Sequence, residues 1–235
     1  MKLKISQWNA NHMKTYGWDY FQKHTKDSDV CILQRIMTDE LWNLDFEHVH
    51  CAGQGYGDDV SIVIASNIMF DDARDIDLPS RESLKKGWDK HQGGKAVSVV
   101  INDMQIVSAL PCHDCTDECC SGKKLTKDDT WHDMKYLFDN IPHKEKCLIG
   151  ADFHMPALTD PTHESLIQKN NFISHADDLI TFMKKGKWGN SQPTQHGINL
   201  DRVLTRGDIQ ISDLESFAVA TPKHTHWLLN YNVNF

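Results

Sequence analysis

Cys112, His113, Cys115, Cys119 and Cys120 crowd into one nine-residue stretch of the chain. Thiolate and imidazole suit zinc, and the Cys112-x-x-Cys115 spacing sets two sulfurs at one apex of a tetrahedral site. A structural zinc site usually draws its second ligand pair from farther along the chain, whereas all five of these share one loop. A local disulfide or simple free thiols are the competing readings. A zinc held here would brace a loop rather than perform chemistry. Cys31 and Cys147 lie in apolar runs and read as small buried hydrophobes.

Other reactive side chains are scattered. Fourteen histidines are many for 235 residues, and most read as surface groups. Lys123-Lys124 and Lys184-Lys185-Gly186-Lys187 are local basic patches. Such runs are most often solvated faces, and the seven tryptophans read as packing rather than as stacking platforms. The chain is acidic overall, with 25 Lys and Arg against 33 Asp and Glu. It therefore lacks the basic footprint of nonspecific nucleic-acid binding. A 40% hydrophobic content excludes disorder. No apolar run approaches the ~18 residues of a membrane-spanning helix. Met1-Lys2-Leu3-Lys4-Ile5 runs into polar Ser6-Gln7 with no apolar export signal, so a cytoplasmic protein without a disulfide framework is expected.

Strands and helices that would carry these residues alternate along the chain. Lys2–Trp8, Asp29–Gln34, Val60–Ala65, Lys95–Ile101, Met104–Leu110, Lys146–Phe153, Asn199–Thr205, Gln210–Phe217 and Trp227–Phe235 read as strands. Asp29–Gln34 is a continuous apolar run, as expected of a strand buried on both faces. Asn102-Asp103 suits a tight hairpin turn. Trp18–His24, Asp129–Ile141 and Thr162–Asn170 have helical spacing, and a short helix starts at Thr38, with Thr38 and Thr162 as expected N-caps. Residues 66–94 read as a long surface connection. No composition break divides the chain, so one α/β domain over 1–235 is expected, with two packed sheets and helices outside.

Four segments stand at the ends of these strands: Ile5-Ser6-Gln7-Trp8-Asn9-Ala10-Asn11, Asp29-Val30-Cys31-Ile32-Leu33-Gln34-Arg35, Ile149-Gly150-Ala151-Asp152-Phe153-His154 and Leu200-Asp201-Arg202-Val203. His226 precedes the last strand. In order and spacing they resemble the endonuclease/exonuclease/phosphatase superfamily, the DNase I-like proteins. That pattern runs W-N, D-x-x-x-L-Q-E, G-D-x-N, D-R or D-Y, then S-D-H. The resemblance implies a four-layer α/β sandwich, two mixed β-sheets face to face with helices outside. It implies phosphoester hydrolysis assisted by Mg²⁺, which neutralises charge on the phosphate oxygens.

Carried over residue by residue, the resemblance makes Asn9, Asp152, Asp201 and His226 catalytic candidates. Asn9 would assist the phosphate site, Asp152 would orient water, and Asp201 would hydrogen-bond His226. His154 stands at the Asn of G-D-x-N and joins them as a further acid–base candidate or a turn residue. Asn11 and Arg35 are candidates for substrate binding. The metal half departs from the pattern. Arg35 stands where the family has its metal-binding Glu, and Thr225 where it has the Asp of S-D-H. A guanidinium ~4 Å from a divalent ion at an effective dielectric near 20 is repelled by roughly 8 kcal/mol. The expected Mg²⁺ site is therefore lost.

Three readings follow. The chain is an inactive relative that binds a protein or a phosphate-containing partner, since guanidinium pairs with phosphate oxygens bidentately. Or it is a metal-independent phosphoesterase with Arg35 in place of the ion and His226, polarised by Asp201, as the acid–base group. Or a zinc at the cysteine cluster matters. Nucleic acid is the expected partner if the ancestral role persists. Asp201-Arg202 could also be an ordinary surface ion pair.

Overall fold

Alternation along β1 (Lys2–Met13) sets the plan of the molecule. Leu3 and Ile5 join one buried cluster, while Trp8 and Ala10 join another. Successive side chains of a strand point to opposite faces, so β1 lies between two apolar layers. β2 (Val30–Met37) divides in the same way: Val30 and Ile32 join the first cluster, and Cys31, Leu33 and Ile36 the second. The run expected to be buried on both faces is so buried.

The computed structural model describes residues 1–13, 17–53, 60–79, 94–111, 127–141, 145–153, 161–179, 181–183, 197–198, 200–218 and 226–235. The strands after β2 are β3 (His48–Gly53), β4 (Val60–Ser66), β5 (Asp71–Asp77), β6 (Lys95–Ile101), β7 (Met104–Leu110), β8 (Lys146–Asp152) and β9 (Ile173–His175). They continue with β10 (Phe182–Met183), β11 (Gly197–Ile198), β12 (Asp201–Arg206), β13 (Gln210–Phe217) and β14 (Leu228–Asn234). One sheet has the order β13-β14-β1-β2-β4-β3 and the other β5-β6-β7-β8-β12-β9, while β10 pairs with β11. Both large sheets are mixed, because β1–β2 and β7–β8 are parallel and their other pairings antiparallel.

Helices cover the outer faces. Trp18 and Phe21 of α1 (Trp18–Thr25) pack on Trp8, Leu33 and Val63. Met134, Leu137 and Phe138 of α2 (Lys127–Asn140) and Ile167 of α3 (Pro161–Lys169) pack on Val107, Ile149 and Leu204. Between the sheets lies a third layer of apolar contacts, including Ile5, Ile32, Val99, Leu148 and Val203. The result is the expected four-layer sandwich.

Local expectations are revised at several points. The connection over 66–94 contains β5, whose sequence Asp-Asp-Ala-Arg-Asp-Ile-Asp shows no apolar alternation because it is an exposed edge strand. Charged side chains on such an edge oppose pairing with another chain. The strands β3 and β9 also escaped the sequence reading. Thr38 does not cap its helix; it begins a 3-10 helix (Thr38–Asn43), and its hydroxyl lies 2.9 Å from that of Ser61. Thr162 lies inside α3, which starts one residue earlier at Pro161, a favoured first helical residue. Asn102 and Asp103 both take positive φ, 47° and 66°, as the tight hairpin between β6 and β7 requires.

Candidate functional site

The inner layer turns from apolar to polar toward one end of the sandwich. On β1 the inward positions Leu3 and Ile5 are followed by Gln7 and Asn9; on β8 Leu148 is followed by Gly150 and Asp152. Hydrogen bonds tie the sheets together there. Gln7 Nε2 donates to the Arg202 carbonyl at 3.1 Å, and Gln34 Nε2 donates to the Gly150 carbonyl at 3.2 Å and to Ser108 Oγ at 3.0 Å. Gly150 permits this approach: a Cβ on it would lie 2.6 Å from Gln7 Oε1 and 2.8 Å from Ile32 Cγ2.

Beyond these ties four of the candidate residues converge. Asp152 and Asp201 are register partners on β8 and β12. Asn9 Nδ2 donates to Asp152 Oδ2 across the sheets at 2.6 Å. His226 stands with its Nδ1 2.9 Å from Asp201 Oδ2 and its Nε2 3.7 Å from Asp152 Oδ2. Because an ionised carboxylate only accepts, the Nδ1 facing Asp201 carries a proton. Trp8 Nε1 donates to the His226 carbonyl at 3.3 Å, fixing the backbone that presents the ring. All four polar residues are buried. Asp152, Asp201 and His226 also bring one ligand-type atom each within 4.8 Å of one another.

Arg35 reaches this cluster through a backbone irregularity. Strict alternation would turn it outward with Cys31 and Leu33. Between Leu33 and Ile36, however, β2 carries one more residue than the facing segment of β4, and Arg35 has φ 57°. This is a β-bulge, a device that re-aims a side chain. Past it Ile36 resumes the outward position, while the Arg35 guanidinium acts electrostatically on Asp152 and His226.

The charges shape one another. Burial raises the Asp201 carboxyl, and Asp152 adds to the rise, against the opposing pull of His226. Burial disfavours the imidazolium of His226, but Asp201 and Asp152 outweigh it and raise its pKa, with Arg35 opposing. Burial lowers Arg35 and Asp152 counteracts it. The guanidinium stays charged regardless. Two carboxylates are thus faced by the Arg35 guanidinium and by an imidazole whose protonated form they favour.

The other candidates are differently placed. Asn11 belongs to β1, but its side chain lies outside the described residues, as do His154, Cys112, His113, Cys115, Cys119 and Cys120. Arg202 is no surface ion partner of Asp201. It is fully buried on the opposite face of β12, with its guanidinium 2.7 Å from Glu164, 3.0 Å from Asp177 and 2.6 Å from Ser174 Oγ. Thr181 escaped the sequence reading altogether, since nothing around it suggests chemistry, yet it is buried beside Asp201.

No protein-family model matches the chain, and no curated protein matches it by sequence. Solved structures match its fold along its whole length. An endonuclease/exonuclease/phosphatase from Bacteroides vulgatus aligns with TM-score 0.74 at 9% identity, covering 100% of this chain and 99% of that one. The 3′ phosphatase NExo from Neisseria, bound to a product DNA hairpin, aligns with TM-score 0.69 at 12% identity, covering 99% and 100%. TDP2 from D. rerio, complexed with a single-strand DNA product, aligns with TM-score 0.67 at 12% identity, covering 100% and 99%. The chain therefore has the DNase I-like endonuclease/exonuclease/phosphatase fold.

Proposed function

We propose that this chain binds a phosphate ester of nucleic acid at the Asn9–Asp152–Asp201–His226 cluster, with Arg35 as the anion-binding charge and without a divalent ion. The observation that carries this reading is the charge balance around Asp152. Its carboxylate accepts from Asn9, faces His226 Nε2 at 3.7 Å and is compensated by Arg35.

The residues present do not fit Mg²⁺. That ion requires near-octahedral oxygen coordination and keeps several of its waters. Here the three ligand-type groups include an imidazole and are buried, and one oxygen of each carboxylate is already engaged: Asp201 Oδ2 with His226 and Asp152 Oδ2 with Asn9. Arg35 adds a fixed positive charge. The two carboxylates already have Arg35 and His226 as counter-groups, so a dication is not needed to compensate them. Guanidinium binds such oxygens in a planar fork. Nucleic acid is favoured over other phosphate esters because NExo and TDP2 hold DNA products on the same fold. A mannosyl-6-phosphatase shares it as well, so a sugar phosphate is the comparison ligand to test.

The test is fluorescence anisotropy of a labelled single-stranded oligonucleotide with the full chain, in EDTA and in Mg²⁺. Saturable binding in EDTA that Arg35→Gln weakens by roughly 10-fold or more supports the reading. Binding only with Mg²⁺, or none to oligonucleotide but some to mannose 6-phosphate, overturns it.

A second reading is metal-independent hydrolysis, favoured by the 2.9 Å contact between His226 and Asp201, which suits a general acid–base pair. Product release in EDTA that disappears in His226→Gln separates it from binding alone.

A further inference from the structure

Thr181 bonds the backbone of Asp201 and of Trp227, the neighbour of His226. Its side chain is fully buried. Its Oγ1 accepts the backbone N–H of Leu200 at 2.9 Å and of Asp201 at 3.0 Å. Its own carbonyl accepts the N–H of Trp227, the residue after His226, at 2.7 Å. One residue thus holds the start of β12, which carries Asp201, and the backbone beside His226.

These two segments lie in different sheets, because β12 belongs to one and β14, which follows His226, to the other. Thr181 adds to the Gln7 and Gln34 ties between the sheets a link at the Asp201–His226 pair itself. A threonine hydroxyl has two acceptor lone pairs and one donor proton. The two N–H groups use both lone pairs, so removing the hydroxyl would leave two buried backbone donors without their acceptor.

We propose that Thr181 is a positioning residue whose hydroxyl, by holding the backbone N–H groups of Leu200 and Asp201, sets Asp201 against His226 Nδ1. The inference rests on the reading of this pair as the acid–base couple of a phosphate-ester site. Thr181 itself touches no substrate in this scheme. It acts by holding the backbone from which the carboxylate projects, which orients the ring and keeps the proton on Nδ1, leaving Nε2 for the side of Asp152. Among the described residues the charged groups facing the ring are Asp201, Asp152 and Arg35, and none of them is changed in the test.

The readout is the downfield proton resonance of a ring N–H donated to a carboxylate, recorded on the free full-length chain and assigned by its loss in His226→Gln. Thr181→Val keeps the shape and removes the hydroxyl; Thr181→Ser keeps the hydroxyl and removes a methyl. The expected result is a resonance present in the wild type and in Thr181→Ser, and lost in Thr181→Val. A Thr181→Val spectrum with the resonance at its wild-type position overturns the proposal. So does loss of the resonance in Thr181→Ser, which would assign the role to packing of the methyl. If Thr181→Val does not fold, Thr181→Ser decides alone. Because the signal is read without ligand, a chain that passes this test but binds no oligonucleotide refutes the proposed function and not the positioning role.

Discussion

Asp152 and Asp201 stand directly opposite one another on neighbouring antiparallel strands, both turned into the space between the sheets. Like charges in such a cross-strand pair destabilise a sheet. The arrangement is tolerated because His226 bonds one carboxylate and faces the other, and because the bulge at Arg35 brings a guanidinium to bear on Asp152. Carboxylates that would suit a metal in an open site are here compensated by the protein itself.

Removing the cation should remove the ligand. A hydrogen bond to a charged group contributes about 1.5–3 kcal/mol, so Arg35→Gln should weaken oligonucleotide binding by roughly 10- to 100-fold. Arg35→Lys should recover only part of this, because an ammonium cannot present the planar fork. Anisotropy titration at fixed salt in EDTA measures both.

The raised pKa of His226 predicts a sign for stability against pH. Its folded value lies above the ordinary 6.5. The stability it contributes is therefore fully present below about pH 6.5 and is lost as pH rises through the folded value. Asp201, pushed up from 3.8 to about 6, acts in the same sense at lower pH, its contribution falling between those values. Thermal denaturation between pH 6 and 9 should show the wild-type advantage over His226→Gln shrinking as pH rises. An advantage that grows with pH contradicts the assignment.

Gly150 should resist substitution for steric reasons alone. A Cβ there would stand 2.6 Å from Gln7 Oε1 and 2.8 Å from Ile32 Cγ2. Overpacking of this kind costs about 1–3 kcal/mol. Gly150→Ala should lower the denaturation midpoint, and Gly150→Ala with Gln7→Ala should recover part of the loss if the clash with Gln7 is the cause.

Arg202 should matter to stability rather than to ligand binding. Its buried guanidinium is held by Glu164, Asp177 and Ser174. Arg202→Met would strand two partly exposed carboxylates, and breaking a buried pair from one side costs about 3 kcal/mol. Urea denaturation should show that loss. The affinity of the folded variant for oligonucleotide should change much less than in Arg35→Gln.

The strands that build the site were legible because their signals are local. Lys95–Ile101, Met104–Leu110 and the run around Cys31 each announce themselves within a few residues, and the chemistry-bearing positions fall at the ends of such runs. The side-chain types at those ends, including an arginine rather than a carboxylate at position 35, were likewise readable directly. Strands β5 and β9 were not, because edge strands need no apolar alternation.

Only the tertiary structure decided which side chains meet. Asn9 and Asp152 are 143 positions apart, and Trp8 and the His226 carbonyl 218 apart. No periodicity within a strand encodes contacts across two sheets. The direction of Arg35 followed from one extra residue in β2 relative to β4, a property of the pair rather than of either strand. The role of Thr181 followed from its simultaneous reach to β12 and to Trp227. Local sequence specifies faces and runs through the two-residue repeat of the strand. The register and stacking of whole sheets then determine which of those faces share a site.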